Sequence, residues 1–348
     1  MEQKGNRSCC LNCYTKGGVE LQQSLIKRLK PVTEEEQRIL TGDRHIQKEI
    51  YTTGRDFTVD SAKMLEKGRL IDIRTHTRFI AFPSHKHNYI EIMYMCAGET
   101  SHVINGTTKV TLKEGDLLFM NQFSSHEILA AKEEDIGINF IILPEFFDEV
   151  LPMLTKGNVL SNFLVSTLRK NTNTAGYLHY KVAQVLPIQN LIENLVWSLL
   201  NHQPNYRQIN QTTMGLLFMQ LVNATDCIEA GNQEQHQDLF IMQVLKYIEE
   251  NYKAATLSEI AGEMNQSVSN MSKQIKHATG RTFKELLQEK RLSQAEHLIR
   301  DTTIPITDII YLVGYDNTSY FHRIFKENYH MSPKSYRKAI VDNSGNSL

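Results

Sequence analysis

The chain has 348 residues, which is long enough for two or three domains with cores of their own. Its 38 Lys and Arg residues nearly balance 39 Asp and Glu residues, and the net charge of −1 excludes a protein that binds nucleic acid through overall basicity. No run approaches about 18 apolar residues and the first residues lack the apolar stretch of a secretion signal, so we expect a cytoplasmic protein with no membrane partner.

Residues 1–66 are predicted to form a helical N-terminal extension. Apolar residues at helical spacing indicate its first helix: Leu21, Leu25, Ile26 and Leu29. Pro31 ends this helix, and Thr33 with Glu36 is typical of the capping box of a second one.

Over residues 67–145 the hydrophobic period changes to two, which indicates β-structure. Turn signals separate six short runs of strand type: residues 70–75, 89–96, 100–104, 107–112, 116–120 and 136–143. Asn105 and Gly106 form a strong hairpin signal between two of these runs. Short antiparallel strands at this density predict a small sandwich or barrel.

This β-region contains a set of residues of metal-ligand type: His85, His87, Glu91 and His126. The first three have odd numbers, so in one extended strand their side chains would share a face. Their spacing, followed by Gly98, resembles the first motif of the cupin barrel, and the second motif is partly present through Gly115 and His126. The resemblance implies a site that would suit divalent Fe, Mn, Ni or Zn.

An effector pocket is the interpretation that we favour over a metal site. Tyr89 and Met93 share the inward parity of Glu91 and would add apolar walls. The predicted effector-binding residues are His85, His87, Tyr89, Glu91, Met93 and His126. Such a mixture of polar and apolar groups suits a small polar organic molecule such as a sugar or another metabolite.

Residues 146–230 return to a helical pattern, with amphipathic helices predicted over about 186–200 and 211–228. One of them is expected to cover the barrel, and the other could pair with a second subunit in a homodimer; the alternative is that both are purely intramolecular. Residues 231–238 are polar and are predicted to be a linker to a helical module over 239–340.

In that module the same hydrophobic spacing occurs twice. The two quartets are Leu257, Ile260, Ala261 and Met264, then Ile306, Ile309, Ile310 and Val313. A polar or glycine-containing turn follows each quartet, and a second helix then begins, so the sequence predicts two helix-turn-helix motifs. A helix over residues 283–300, about 27 Å long, would join them, which is comparable to the roughly 34 Å between successive major grooves.

The polar faces of the two second helices, over about residues 267–278 and 318–328, carry short polar side chains followed by cations. This arrangement suits a major groove, because N-terminal residues reach base edges while cations contact phosphates. The predicted DNA-binding residues are Ser269, Asn270, Ser272, Lys273, Lys276, Thr318, Ser319, His322, Arg323 and Lys326. A pair of solvated helices in an ordinary bundle is the alternative, which the duplication disfavours.

The module resembles the DNA-binding domain of the AraC/XylS family of bacterial transcription regulators. The second half matches its signature at Ile309, Val313, Gly314, Tyr315, Ser319, Tyr320, Phe321, Arg323, Phe325, Lys326, Ser332, Pro333, Tyr336 and Arg337. The first half matches more loosely at Ile260, Ala261, Ser272, Lys273, Lys276, Gly280, Phe283, Arg291 and Ala295.

The AraC/XylS resemblance implies an α+β multidomain protein with an N-terminal cupin-like barrel and a C-terminal all-α domain. It implies that double-stranded DNA, a small-molecule effector, RNA polymerase and a second copy of the chain are partners, and that activation is commoner than repression. It also implies which of the predicted residues face the bases: Ser269, Ser272, Lys273, Thr318, Ser319 and Arg323.

Two other functions remain open from the sequence. One is a metal-dependent cupin enzyme with an accessory DNA-binding domain. The other is DNA alkylation repair, which requires an activated cysteine, and only the cluster of Cys9, Cys10 and Cys13 offers one. With no fourth ligand nearby, a loosely packed terminus is favoured over a metal or redox site for that cluster.

Overall fold

The computed structural model of the chain describes residues 23–148, 150, 176–229 and 233–345. Of these, residues 23–150 and 176–229 belong to one compact unit, and residues 233–345 belong to a second. No helix within the described ranges is both long and apolar enough to cross a membrane. The cluster at Cys9, Cys10 and Cys13 lies outside the described residues.

The first unit is built on two β-sheets. Its strands are β1 (Thr58–Val59), β2 (Ile71–Thr75), β3 (Phe82–His87), β4 (Ile90–Ala97), β5 (Glu99–Ile104), β6 (Thr108–Lys113), β7 (Leu117–Met120), β8 (His126–Ile128), β9 (Ile136–Ile142), β10 (Tyr177–Tyr180) and β11 (Ile228–Glu229). One sheet has the order β1-β3-β8-β5-β6, and the other has the order β11-β10-β7-β4-β9-β2. The six predicted strand runs are all present, with bounds that differ by at most one residue.

Burial along the strands explains their positions in the sheets. Strand β4 lies between β7 and β9 and is buried along almost its whole length, whereas β5 alternates between buried and less buried residues. The predicted hairpin between β5 and β6 is present, and both Asn105 (φ 51°) and Gly106 (φ 71°) adopt the left-handed conformation that such a turn requires.

The prediction of a helical segment over residues 146–230 is wrong for residues 177–180 and 228–229, which form strands. The expected helices are present as α5 (Leu186–Asn201) and α6 (Tyr206–Asn223), but β10 and β11 add two strands to the edge of the second sheet. Strand β10 is buried on both faces, so its four residues show no alternation that a sequence reading could detect.

Within residues 23–66 the extension forms helices α1 (Gln23–Leu29), α2 (Glu34–Leu40), α3 (Lys48–Tyr51) and α4 (Ser61–Met64). The predicted capping box of Thr33 and Glu36 begins α2. The carboxylate of Glu36 also accepts hydrogen bonds from Nε (2.7 Å) and Nη2 (2.9 Å) of Arg78, and both side chains are almost inaccessible to solvent. Since β1 also pairs with β3, residues 23–66 are part of the first unit and not a separate domain.

The second unit consists of helices α7 (Gln233–Asn251), α8 (Leu257–Glu263), α9 (Val268–Thr279), α10 (Phe283–Asp301), α11 (Ile306–Leu312), α12 (Thr318–Tyr329) and α13 (Pro333–Gly345). Helix α7 starts inside the predicted linker, so a linker over 231–238 is wrong for residues 233–238. These residues are polar, and their side chains gave no apolar stripe by which to recognise the first turn of a helix.

Both helix-turn-helix motifs are present, as α8 with α9 and α11 with α12, and α10 is the predicted helix between them. The loop before α8 contacts both α10 and the turn of the second motif. Arg291 on α10 donates hydrogen bonds to the carbonyl oxygens of Tyr252 (2.7 Å) and Lys253 (2.9 Å). Gly314, at φ +91°, passes so close to the Lys253 carbonyl that a Cβ atom there would overlap it.

Candidate functional site

Three histidine side chains converge between the two sheets of the first unit. His85 and His87 on β3 and His126 on β8 each offer a ring nitrogen within 4.8 Å of the other two. Glu91 on β4 faces them, with its Oε2 3.5 Å from Nε2 of His87 and 3.5 Å from Nε2 of His126. The expectation that the first three predicted ligands share one strand is wrong, because β3 ends at His87 and the chain crosses to the other sheet. The four predicted residues nevertheless meet.

Hydrogen bonds restrict the protonation of this cluster. Nδ1 of His85 lies 2.8 Å from the carbonyl oxygen of Pro83, which can only accept, so this nitrogen carries the proton and Nε2 presents a lone pair. That lone pair faces Nε2 of His126 at 2.9 Å. Among the described residues, no hydrogen-bond donor reaches Oε2 of Glu91, although this atom is buried. The cluster therefore holds a buried carboxyl oxygen that lacks a hydrogen-bond partner.

His102 on β5 is a member of the cluster that the sequence analysis missed. Its Nδ1 lies 3.3 Å from Nδ1 of His126, and its Nε2 lies 3.1 Å from Oγ1 of Thr100. The contacts from Thr100 to His102 and from His102 to His126 fix the ring orientation of His126, as an outer hydrogen-bond partner fixes a metal-ligating histidine. The alternation of β5 places His102 inward, but no motif links it to the other histidines in sequence.

Burial sets the charge of the cluster. It lowers the pKa of His85 to about 4, and it lowers the pKa values of His87, His102 and His126 well below their usual value. It also raises the pKa of Glu91 to about 8. At neutral pH the side chains of the cluster are therefore uncharged imidazoles beside a protonated carboxyl group, and a bound cation would favour the ionised carboxylate.

The donor set fits a divalent transition ion. Nitrogen and oxygen donors bound at about 2.0–2.2 Å in tetrahedral or octahedral geometry lie roughly 3.0–3.5 Å apart. The distances from His126 Nε2 to His85 Nε2 (2.9 Å) and to Glu91 Oε2 (3.5 Å) are close to that range. The lone pair on Nε2 of His85 and the unpartnered Oε2 of Glu91 are ligand atoms that a divalent transition ion can bind.

A cavity of about 50 Å³ adjoins the cluster, which is room for a few water-sized groups. Tyr89 lines it, as predicted, together with the apolar side chains of Phe82, Ile128 and Ile141. Met93 does not line it, because that side chain lies in a separate apolar cluster with Met95 and Leu118.

A larger, polar cavity of about 430 Å³ lies between α2, α3 and β2. Arg74 and His76 line both cavities, and Glu35 and Arg38 line the larger one. Nε2 of His76 is buried and has no hydrogen-bond partner among the described residues. Neither Arg74 nor His76 belongs to a motif, so the sequence carried no signal for them.

The second candidate site consists of α9 and α12, which we call the reading helices. Each has 12 residues, an N-cap side chain that accepts a hydrogen bond from the third helical residue, and a left-handed C-cap. Corresponding positions differ by 50 in residue number. Each buries an apolar pair against its own motif: Met271 and Ile275 on α9, Phe321 and Phe325 on α12.

The opposite face of each reading helix is exposed. The exposed members of the predicted set are Ser269, Asn270, Lys273, Lys276, Ser319, His322, Arg323 and Lys326, while Ser272 and Thr318 are half-buried. Both faces therefore present polar and cationic side chains to solvent, as a groove-binding helix requires.

Comparison with known proteins agrees with both halves of this architecture. Residues 72–151 match the family model of the AraC-like ligand binding domain, and residues 260–339 match that of a helix-turn-helix domain. The chain belongs to the AraC family of transcription regulators. The predicted family and fold class are thereby confirmed, and the regulator interpretation is favoured over the enzyme.

Relatives in the family cover most of the chain. The HTH-type transcriptional activator RhaS of Klebsiella pneumoniae (strain 342) is 25% identical over 267 residues, which are 74% of this chain and 88% of the relative. RhaS of Yersinia pestis (strain Pestoides F) is 26% identical over 272 residues, covering 75% and 90%.

Solved structures of the family are also similar to this chain. ToxT from Vibrio cholerae O395 is 14% identical and covers 78% of this chain and 97% of its own, with a TM-score of 0.31. The C-terminal domain of AraT, a response regulator from Geobacillus stearothermophilus, is 32% identical and covers 29% and 84%, with a TM-score of 0.28.

Proposed function

We propose that this family member is a transcription activator whose two reading helices enter adjacent major-groove segments of one operator. The observation that carries the proposal is the exposure of two equivalent polar and cationic faces on α9 and α12. Activation is supported by the relatives, which are named as transcriptional activators, and we propose that it proceeds through contact with RNA polymerase. The protein would act in the cytoplasm, on DNA, without catalysing a reaction.

Binding to the DNA upstream of its own and neighbouring operons tests this function. We expect Arg323→Ala to weaken specific binding by about 1–3 kcal/mol, because a base contact is lost. Lys109→Ala, which removes an exposed cation from β6 in the other unit, is the matched control and should bind like the wild type. The function is wrong if the wild-type protein shows no preference over scrambled duplex at any salt concentration.

The effector is proposed to bind at the histidine cluster and in the cavities beside it. Its contacts would be His85, His87, Tyr89, Glu91 and His126 at the inner end. Arg74 and His76, which line both cavities, would contact the part of the effector that extends toward α2. A small polar organic molecule, such as a sugar or a metabolite with an acid group, suits this combination of neutral acceptors and one guanidinium.

Thermal unfolding in the presence of monosaccharides and small organic acids tests the effector site. A true effector should raise the melting temperature of the wild type and of Glu127→Gln, but not that of Glu91→Gln. Glu127 is the matched control because it follows His126 on β8 and its side chain points to the other face of the strand. An effector that stabilises Glu91→Gln as strongly as the wild type would contradict the assignment.

A divalent transition ion is a second candidate ligand, and the unpartnered Oε2 of Glu91 beside three neutral imidazoles favours it. Equilibrium dialysis against Zn²⁺, Ni²⁺, Mn²⁺ or Fe²⁺ followed by elemental analysis measures its binding. We expect one ion per chain in the wild type and in Glu127→Gln, and none in a His87→Ala, Glu91→Gln double variant. Equal metal content in all three proteins would exclude this site.

Helix α6 is proposed to pair with its copy in a homodimer. Its exposed residues Ile209, Thr212, Leu216, Met219 and Asn223 are spaced by three and four, as in the seam of a coiled coil. The three apolar members are each exposed by more than a third, at 38%, 45% and 38% for Ile209, Leu216 and Met219. An apolar stripe of this kind buries the most apolar surface when it faces an identical stripe.

Sedimentation of two matched variants tests the dimer. Leu216→Glu places a charge inside the stripe and should give a monomer at micromolar concentration. Arg207→Glu places the same residue on the other side of α6 and should leave the dimer intact. A dimer that survives Leu216→Glu would show that another surface forms it, and a monomeric wild type would exclude the dimer itself.

A further inference from the structure

The two reading helices differ at the residues around one central cation. Lys273 on α9 and Arg323 on α12 occupy matched positions, since their numbers differ by 50, and both lie opposite the buried apolar pair of their helix. Both are exposed. Any difference in how they contact DNA therefore comes from the cation itself and from its neighbours.

On α12 the guanidinium of Arg323 has a defined position. Its central carbon lies 5.3 Å from the centre of the Tyr320 ring, and Nη1 lies 3.4 Å from Oε1 of Glu327. The hydroxyl of Tyr320 donates a hydrogen bond to Oε1 of Gln288 on α10 at 3.1 Å. The ring under the guanidinium is thus itself attached to the helix that joins the two motifs.

On α9 the matched positions are occupied differently. Asn270 stands in place of Tyr320, and its amide donates to Oε1 of Gln266 at 3.1 Å. His277 stands in place of the acid at Glu327. Lys273 makes no ion pair with another side chain in the part of the chain that the structure describes, so nothing restricts its flexible ammonium group.

These differences separate two kinds of DNA contact. A guanidinium is a planar fork whose donors match O6 and N7 of guanine in a fixed geometry. An ammonium on a flexible stem is a point charge without that fixed geometry, so it contacts phosphates as readily as base edges. A side chain that is already held by a ring loses less rotamer freedom when it forms the base contact. A neighbouring carboxylate penalises approach to phosphates but permits the approach of a base edge.

We propose that Tyr320 and Glu327 position Arg323 to read a guanine, so that α12 sets the base specificity of the operator while Lys273 on α9 contributes affinity without base preference. This inference rests on the proposed function. Tyr320 and Glu327 are positioning residues, because they act on DNA through Arg323.

Selection of bound duplexes from a random pool, followed by affinity measurements on each single base-pair change, tests the proposal with the full chain. In the wild type, replacing one G·C pair in the segment under α12 should lower affinity by about 10- to 100-fold. Tyr320→Leu keeps an apolar side chain but removes the ring, and it should reduce that preference to a few-fold. Tyr320→Phe keeps the ring and should restore most of it.

Further variants separate positioning from a general loss of fold. Glu327→Gln should raise affinity for scrambled duplex and so lower the ratio of operator affinity to scrambled-duplex affinity. Tyr311→Leu removes an exposed ring from α11, outside the reading helices, and should leave the guanine preference unchanged. The proposal is overturned if Tyr320→Leu weakens binding equally to all sequences, or if Arg323→Lys keeps the guanine preference. Failure of the proposed function would look different, because the wild type would then select no motif.

Discussion

At the scale of single residues, His76 shows what the barrel interior does to a titratable group outside the predicted cluster. It follows β2, lines both cavities and is only 4% exposed. Burial lowers its pKa from 6.5 to about 4. Between these values the unfolded chain binds more protons than the folded one, so stability is fully present above about pH 6.5 and is lost as the pH falls toward 4.

His76→Leu should therefore make the protein less sensitive to acid. We expect the free energy of unfolding to fall less steeply from pH 6.5 to 4 than in the wild type, by up to one proton or about 1.4 kcal/mol per pH unit. Urea denaturation at a series of pH values measures the two slopes. Parallel curves for the two proteins across this window would contradict the burial of a neutral imidazole.

The sequence could predict those residues of the site that stand at a recognisable spacing. His85, His87 and Glu91 stand at such a spacing, and the structure brings them together with His126. His102 was not predictable in this way, because it reaches the cluster only through the pairing of β5 with β8. Arg74 and His76 become lining residues only where α2 and α3 lie across a cavity from β2, and no local pattern encodes that arrangement.

At the scale of elements, the C-caps of the reading helices form a natural pair. Gly280 ends α9 at φ 71°, and His330 ends α12 at φ 59°. A side chain in the left-handed region costs roughly 1–2 kcal/mol, so His330→Gly should stabilise the protein by about 1 kcal/mol after the entropy of the unfolded glycine is counted. Gly280→Ala should destabilise it by a similar amount.

Urea denaturation, with hydrogen exchange to locate the change in the second unit, measures both cap variants. Gly262→Ala is the control, because this glycine lies on α8 with open space around its Cβ position and φ in the ordinary helical range. It should stabilise by at most about 1 kcal/mol through helix propensity alone. If His330→Gly destabilised the protein, the His330 side chain would make a stabilising contact that outweighs the cost of its left-handed backbone.

Periodicity predicted most of the elements. The six strand runs and the reading helices follow from alternation and from the two apolar quartets. Periodicity did not predict strand β10, which is buried on both faces, or the first turn of α7, which is polar throughout. Periodicity reports elements with one buried and one solvated face, whereas a strand buried on both faces, such as β4, is recognised as a longer apolar run between turn signals. Strand β10 has only four residues and one of them is His179, so it offers no such run.

At the scale of the whole molecule, charge is local and not global. The net charge is −1, and the exposed cations of the reading helices are Lys273, Lys276, Arg323 and Lys326. If the three lysines neutralise phosphates while Arg323 contacts a base, the logarithm of operator affinity should fall with the logarithm of salt concentration with a slope of about −3 per bound chain. Titration from 50 to 200 mM KCl measures this slope, and a salt dependence weaker than a slope of about −1 would exclude insertion of both reading helices.

The buried pair of Arg78 and Glu36 determines where this protein can be divided. A sensor fragment that started at residue 67, at the boundary the sequence suggested, would keep the guanidinium in the barrel and discard its carboxylate. An uncompensated buried charge costs about 3–5 kcal/mol, which is a large part of the stability of an ordinary domain. Any truncation meant to isolate the barrel must therefore retain α2.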